Sequence, residues 1–131
     1  MRINHIAAYV NDLEKTSDFY AKYFGAAAGA RYHNTKTGFE SYFLTFADNC
    51  RYEIMLNPDL LKIDNSEESF GYAHIAFSVG DKEAVDSLTE WLRADGYTVI
   101  SGPRTTGDGY YESCVLDPDG NRVEIVADNR S

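Results

Sequence analysis

His5-Ile6-Ala7-Ala8-Tyr9-Val10-Asn11-Asp12-Leu13-Glu14 returns, 69 residues later (74 minus 5), as His74-Ile75-Ala76-Phe77-Ser78-Val79-Gly80-Asp81-Lys82-Glu83. His, Ile, Ala, Val, Asp and Glu coincide between the two stretches. A second match follows at an offset of 71 (124 minus 53). Arg51-Tyr52-Glu53-Ile54-Met55 is echoed by Arg122-Val123-Glu124-Ile125-Val126, with Arg, Glu and Ile in common. An offset that drifts by two residues is what small loop insertions produce. The chain reads as a duplication, and internal repetition is the first thing that decides a fold.

Working outward, each copy has the layout β-α-β-β-β. Residues 3–10 alternate, with Ile6, Ala8 and Val10 on one side and His5 and Ala7 on the other, as a half-buried strand requires. Asp12 is placed to cap a helix running to about Phe24, with Gly25 just past its end. Strands are expected at 28–34, 40–47 and 51–56. The second copy opens with strand 72–79. Asp81 caps a helix on which Val85, Leu88 and Leu92 share a face and which Gly96 ends. Strands at about 97–101, 110–117 and 122–127 follow, the last two joined by the tight-turn sequence Asp117-Pro118-Asp119-Gly120-Asn121. The fold class is therefore α+β, with two tandem βαβββ modules at about 1–56 and 72–128. The polar connector 57–71 has Leu60, Leu61 and Ile63 as a potential helical turn. A length of 131 residues suits one domain.

The placement of the coincidences points to chemistry. His5 and His74 lie in the first strand of their module, and Glu53 and Glu124 in the last. In each strand alternation sets them opposite the main apolar positions: Tyr52, Ile54 and Leu56 oppose Glu53, and Val123, Ile125 and Ala127 oppose Glu124. With helices on the outer, apolar face, all four would point to the concave side of a curved sheet. Neutral imidazole nitrogens and carboxylate oxygens are the usual ligands of borderline divalent ions. Two of each balance a 2+ charge and leave positions open for water or substrate. The expected site is thus one divalent ion (zinc, nickel, cobalt or manganese) held by His5, Glu53, His74 and Glu124.

Composition excludes other functions. The formal net charge of -9 and the lack of clustered Lys and Arg argue against nucleic acid, and equally against an anionic membrane. No apolar run approaches the roughly 20 residues of a membrane span, and the N-terminal residues lack a signal-peptide core. The expected location is the cytoplasm. Two distant cysteines, Cys50 and Cys114, make no disulfide framework and read as buried, inert thiols.

Other residues carry weaker signals. Arg31 and Arg104 are cations that would meet an anionic substrate, and Tyr110, beside the glycine-rich loop Gly102–Gly109, would line a pocket. His33 reads as exposed and Trp91 as packing. Gly107 and Gly109 form no phosphate loop, since neither a helix start nor a P-loop lysine follows.

The opening His5-Ile6-Ala7 strand leading to Asp12, the run Gly71 to Val79 and the run Asp117 to Ile125 together resemble the vicinal oxygen chelate superfamily, in its glyoxalase I-like branch. This is the fold shared with bleomycin resistance proteins and extradiol dioxygenases. The resemblance implies paired modules forming a cup-shaped mixed sheet around the metal, helices outside, in a homodimer. It implies the ligand set His5, Glu53, His74 and Glu124, with a quartet glutamate as catalytic base. Glu124 is favoured over Glu53 for that role. The implied reaction is that of a lactoylglutathione lyase, isomerising a small α-hydroxycarbonyl or the hemithioacetal of methylglyoxal and glutathione through an enediolate.

The family also implies rivals. Bleomycin-sequestering members bind a small molecule in a dimer cleft without metal. Fosfomycin resistance members transfer a thiol to an epoxide antibiotic and, like extradiol dioxygenases, rely on two His and one Glu. A fourth ligand at Glu53 sets this chain apart from both. Arg104 and Asp108 stand where glyoxalase-type chains often carry a lysine-glycine-rich stretch.

Overall fold

Asp12 and Asp81 start the two helices by one device. Each sits in extended backbone, and its carboxylate accepts the N–H three residues on, Lys15 at 3.0 Å and Ala84 at 2.8 Å. A computed structural model describes residues 1–62 and 67–128. The chain divides into two compact units, Met1–Ile63 and Asp64–Ser131, and each carries one module of the α+β fold.

In the first unit β1 (Ile6–Tyr9) leads into α1 (Leu13–Phe24), which Gly25 ends in the left-handed conformation. Then come β2 (Ala27–Ala28), β3 (Tyr32–His33), β4 (Glu40–Thr45) and β5 (Arg51–Leu56). The sheet order is β1-β5-β4-β2, with β3 also on β4; β1 and β5 run parallel and the other pairs antiparallel. A parallel pair needs a long crossover, which α1 and β2 to β4 supply. The helix lays Phe19, Tyr20 and Tyr23 over buried Leu44, Tyr52 and Ile54. Tyr20 meets Tyr52 edge-on at 5.4 Å, so this core is built from rings.

The second unit holds β6 (His74–Gly80), α2 (Lys82–Ala94), β7 (Val99–Thr105), β8 (Tyr111–Leu116) and β9 (Arg122–Ala127), in the order β6-β9-β8-β7. Its core is aliphatic: Val85, Leu92, Val115, Val123 and Ile125 are fully buried. Buried Thr89 donates to the Val85 carbonyl and shares a 2.6 Å hydrogen bond with Ser113, satisfying the polar atoms within that core. Asp117 organises the last turn by accepting the N–H groups of Asp119 and Asn121, both at 2.9 Å.

Several boundaries differ from the sequence reading. The strand expected at 28–34 is two short pieces, because pairing with β4 slips by one residue between Ala28 and Tyr32. The first strand begins at Ile6, so His5 lies just before it. Strand 97–101 is instead Val99–Thr105, with bulges, and takes in half of the supposed glycine-rich loop. There Gly102 (φ 78°) lies so close to β8 that an added Cβ would stand 2.5 Å from the Glu112 carbonyl. A turn at Pro58–Asp59 replaces the helical turn imagined at Leu60 and Leu61, while Ile63 lies outside the described residues. Cys50 is exposed rather than buried, since it follows the β4–β5 turn, and Trp91 is 44% exposed on the outer side of α2. No helix among the described residues is long and apolar enough to cross a membrane.

Candidate metal centre

Strand register assembles one His–Glu pair in each unit. In the first, Ala7 on β1 and Phe43 on β4 are both register partners of Glu53, and His5 precedes Ala7 by two residues on the same face. His5 Nε2 lies 3.7 Å from Glu53 Oε1. In the second, Ala76 and Cys114 are the register partners of Glu124, and His74 Nε2 stands 3.1 Å from Glu124 Oε2. The opposite faces are the packed ones: Tyr52 and Ile54 are buried in one unit, Val123 and Ile125 in the other. All four side chains are between 19% and 39% exposed, as ligands open to an incoming ion must be.

Ligand atoms on one ion at bonds of about 2.0–2.2 Å stand about 3.0–3.5 Å from each other. The second pair meets this spacing, and the first is within a small side-chain movement of it. Nitrogen and oxygen donors of this kind suit the borderline divalent ions. Each unit by itself offers two of the four expected ligands. Among the described residues no three His, Cys, Asp or Glu side chains gather as a metal-holding group.

The duplication aligns the surroundings position by position, and they differ. Where the first module has Phe43 beside its glutamate, the second has Cys114; where the first has Ser41, the second has Glu112. Burial, then the neighbouring Glu112 carboxyl and the charge of Asp108, push the Glu124 carboxyl up to about 7 against the opposing pull of Arg104. Burial, and next the Glu124 charge, raise the Cys114 thiol. Glu112 escaped the sequence reading because its place beside Glu124 depends on the β8–β9 register, which no local pattern encodes.

The remaining candidates are distributed. Arg104, on β7, is the register partner of Glu112 on β8, so one strand separates it from the strand of Glu124. Tyr110 lies just before β8, its N–H donating to Thr106 Oγ1 and its carbonyl accepting the Thr106 N–H. Arg31 is tied to Glu40, and exposed His33 approaches the same carboxylate at 3.6 Å. Glu40 shares strand parity with Tyr42 and buried Leu44, the side away from Glu53. Arg31 is therefore committed to an ion pair on the other face of β4.

Comparison with known proteins agrees with this architecture. The chain is 30% identical over 132 residues to the uncharacterized protein YqjT of Bacillus subtilis, covering 95% of this chain and 98% of that protein. It is 25% identical over 131 residues to a probable lactoylglutathione lyase of Vibrio cholerae, covering 99% and 93%. The crystal structure of the fosfomycin resistance protein FosX from Listeria monocytogenes, in complex with Mn(II) and sulfate, superimposes with a TM-score of 0.74 at 25% identity, covering 98% and 93%. The family model for the Glyoxalase/Bleomycin resistance protein/Dioxygenase superfamily matches residues 2–125. With the duplicated module, the parallel first and last strands and the two His–Glu pairs already in place, the chain belongs to that superfamily.

Proposed function

We infer that the protein is a divalent-metal-dependent lyase or isomerase of the glyoxalase I type, acting on a small α-hydroxycarbonyl or a glutathione hemithioacetal. The observation that carries this reading is the twofold occurrence of a His nitrogen facing a Glu oxygen, at 3.7 and 3.1 Å. His5, Glu53, His74 and Glu124 would hold the ion, in one chain or across the two chains of a homodimer. A Mn(II) complex is known for the Listeria FosX structure, which supports a divalent ion here. When bound, the ion supplies Lewis acidity toward two adjacent substrate oxygens.

The chain's own groups then divide the work. Glu124 takes the proton from the carbon next to the carbonyl. Partial burial and the like charges of Glu112 and Asp108 raise the proton affinity of this carboxylate in the metal-free chain, the direction a general base needs. Glu53, with no neighbouring acid at the equivalent position, stays a ligand. Arg104 on β7 and Tyr110 just before β8 would meet substrate oxygens. A second reading, thiol transfer of the fosfomycin resistance type, is favoured by a 28% identity over 123 residues to the glutathione transferase FosA of Serratia marcescens, and Glu53 as a fourth donor counts against it.

Elemental analysis of the purified protein decides the first half: one divalent ion per His2Glu2 set is expected. A thioester-forming assay with methylglyoxal and glutathione, run beside a fosfomycin–thiol assay, decides the second. A protein that takes up no divalent ion after incubation with zinc, nickel, cobalt and manganese salts overturns the reading.

A further inference from the structure

His5 is held by a contact system that His74 lacks. Its Nδ1 lies 2.7 Å from Asn4 Oδ1, and the same oxygen accepts a hydrogen bond from Arg51 Nη2 at 2.8 Å. The Phe43 ring packs edge-on against the His5 ring at 5.1 Å and carries the Arg51 guanidinium over its face at 4.7 Å. One ring thus supports both ends of the Asn4 bridge. In the second module the position equivalent to Asn4 is Ala73, and the place of Phe43 is taken by Cys114. Arg122 repeats Arg51 as the register partner of His74, with no amide to bridge them.

The chemistry of the bridge fixes a proton. A guanidinium only donates, so the Asn4 atom facing Arg51 must be the carbonyl oxygen. That oxygen only accepts, so His5 Nδ1 must carry the hydrogen. In a neutral imidazole the lone pair is then left on Nε2, the nitrogen that faces Glu53. Had Nε2 carried the hydrogen it would donate to Glu53, and ion binding would first have to expel it. Because His5 precedes the first residue of β1, no strand position holds its ring in place.

We propose that Asn4, fixed by Arg51, is a positioning residue that sets the tautomer and orientation of His5 and so presents the Nε2 lone pair to a divalent ion. The proposal rests on the metal reading for its purpose but not for its tautomer. Partners that orient a ligand histidine typically change metal affinity 10–100-fold.

The test has two readouts on the whole protein. Long-range 1H–15N spectra of the metal-free protein at pH 8 report which ring nitrogen carries hydrogen. The three histidines are assigned through His33→Gln and His74→Gln. Competition with a chromophoric chelator gives the Zn(II) affinity. In wild type the Nδ1–H form of His5 is expected. In Asn4→Leu that form gives way to a mixture and Zn(II) affinity falls about 10–100-fold, whereas Asn4→Asp, which still accepts from both partners, keeps the tautomer and stays within a few-fold of wild type. Asn4 is an exposed residue, so unchanged thermal midpoints serve to exclude misfolding. A wild-type His5 in the Nε2–H form, or an unaltered tautomer in Asn4→Leu, overturns the proposal. Wild-type protein with the Nδ1–H form that binds no Zn(II) overturns the metal reading instead, and the tautomer spectra still decide the role of Asn4.

Discussion

The two modules keep the same pair and surround it oppositely. In the first, histidine is the supported partner: Asn4, Arg51 and Phe43 hold His5, and Glu53 has Ser41, Phe43 and Thr45, none of them acidic, on its side of β4. In the second, the carboxylate is the perturbed partner, with the Glu112 carboxyl on the neighbouring strand and His74 at 3.1 Å. The cores beneath have diverged as far, rings in one and aliphatics in the other. Two copies of one unit thus keep the same His–Glu pair in different surroundings. One surrounds its histidine with partners, and the other has a carboxylate with raised proton affinity. This asymmetry is the physical reason to assign proton transfer to the second module.

The largest test of that division is a paired substitution. Glu124→Gln is expected to lower turnover about 10²–10⁴-fold, the usual worth of a general base, beyond whatever metal it loses. Glu53→Gln, measured at saturating metal, is expected to recover much of its activity. Equal, unrecoverable losses would erase the distinction between the modules.

Two glycines compare the modules as scaffolds. Gly25 and Gly102 both have positive φ, but a Cβ on Gly25 would meet open space, while one on Gly102 would strike the β8 backbone. Gly25→Ala should cost about 1–2 kcal/mol from the left-handed conformation alone. Gly102→Ala should cost about 2–4 kcal/mol, adding the displacement of packed backbone. Urea unfolding measures both, and a smaller loss at Gly102 would mean that β7 yields easily.

The pH dependence of the metal-free protein sharpens the comparison further. Glu124 is raised from 4.5 to about 7, so its folded form prefers the proton. A carboxyl raised by folding imposes no penalty below its unfolded value; the penalty grows as pH climbs through that value toward the folded one. Stability should therefore decline between about pH 4.5 and pH 7 and then level off for this group. Glu112→Gln should flatten the decline, and Ser41→Ala, the equivalent change in the first module, should not. Denaturation midpoints at pH 5 and pH 8 give the answer.

The smallest expected effect concerns the thiols. Cys50 is exposed, whereas Cys114 is half-buried with a raised thiol. Maleimide should label Cys50 first, and Cys114 about tenfold more slowly or worse, because the thiolate is the reactive form. Mass spectrometry of a time course resolves the two sites.

Much of this was legible without coordinates. The paired offsets located both modules, and Asp12, Asp81 and Gly25 act at the helix ends where local chemistry puts them. Alternation along 51–56 and 122–127 told which side of each last strand is buried, since side-chain direction has a strict period of two. What escaped depends on pairing across strands. The slip between Ala28 and Tyr32, the extension of β7 through Pro103 and the exposure of Cys50 are settled by neighbours far away in the chain.

By itself, then, the order of residues determined the duplication, the helix caps and the four residues of the two His–Glu pairs, because each is a local or repeated pattern. Only the tertiary structure decided that Asn4 bridges Arg51 to His5 and that Glu112 leans on Glu124. Those contacts are set by strand register. Register is a choice made by the whole sheet when it buries one face, and no short stretch of sequence contains it.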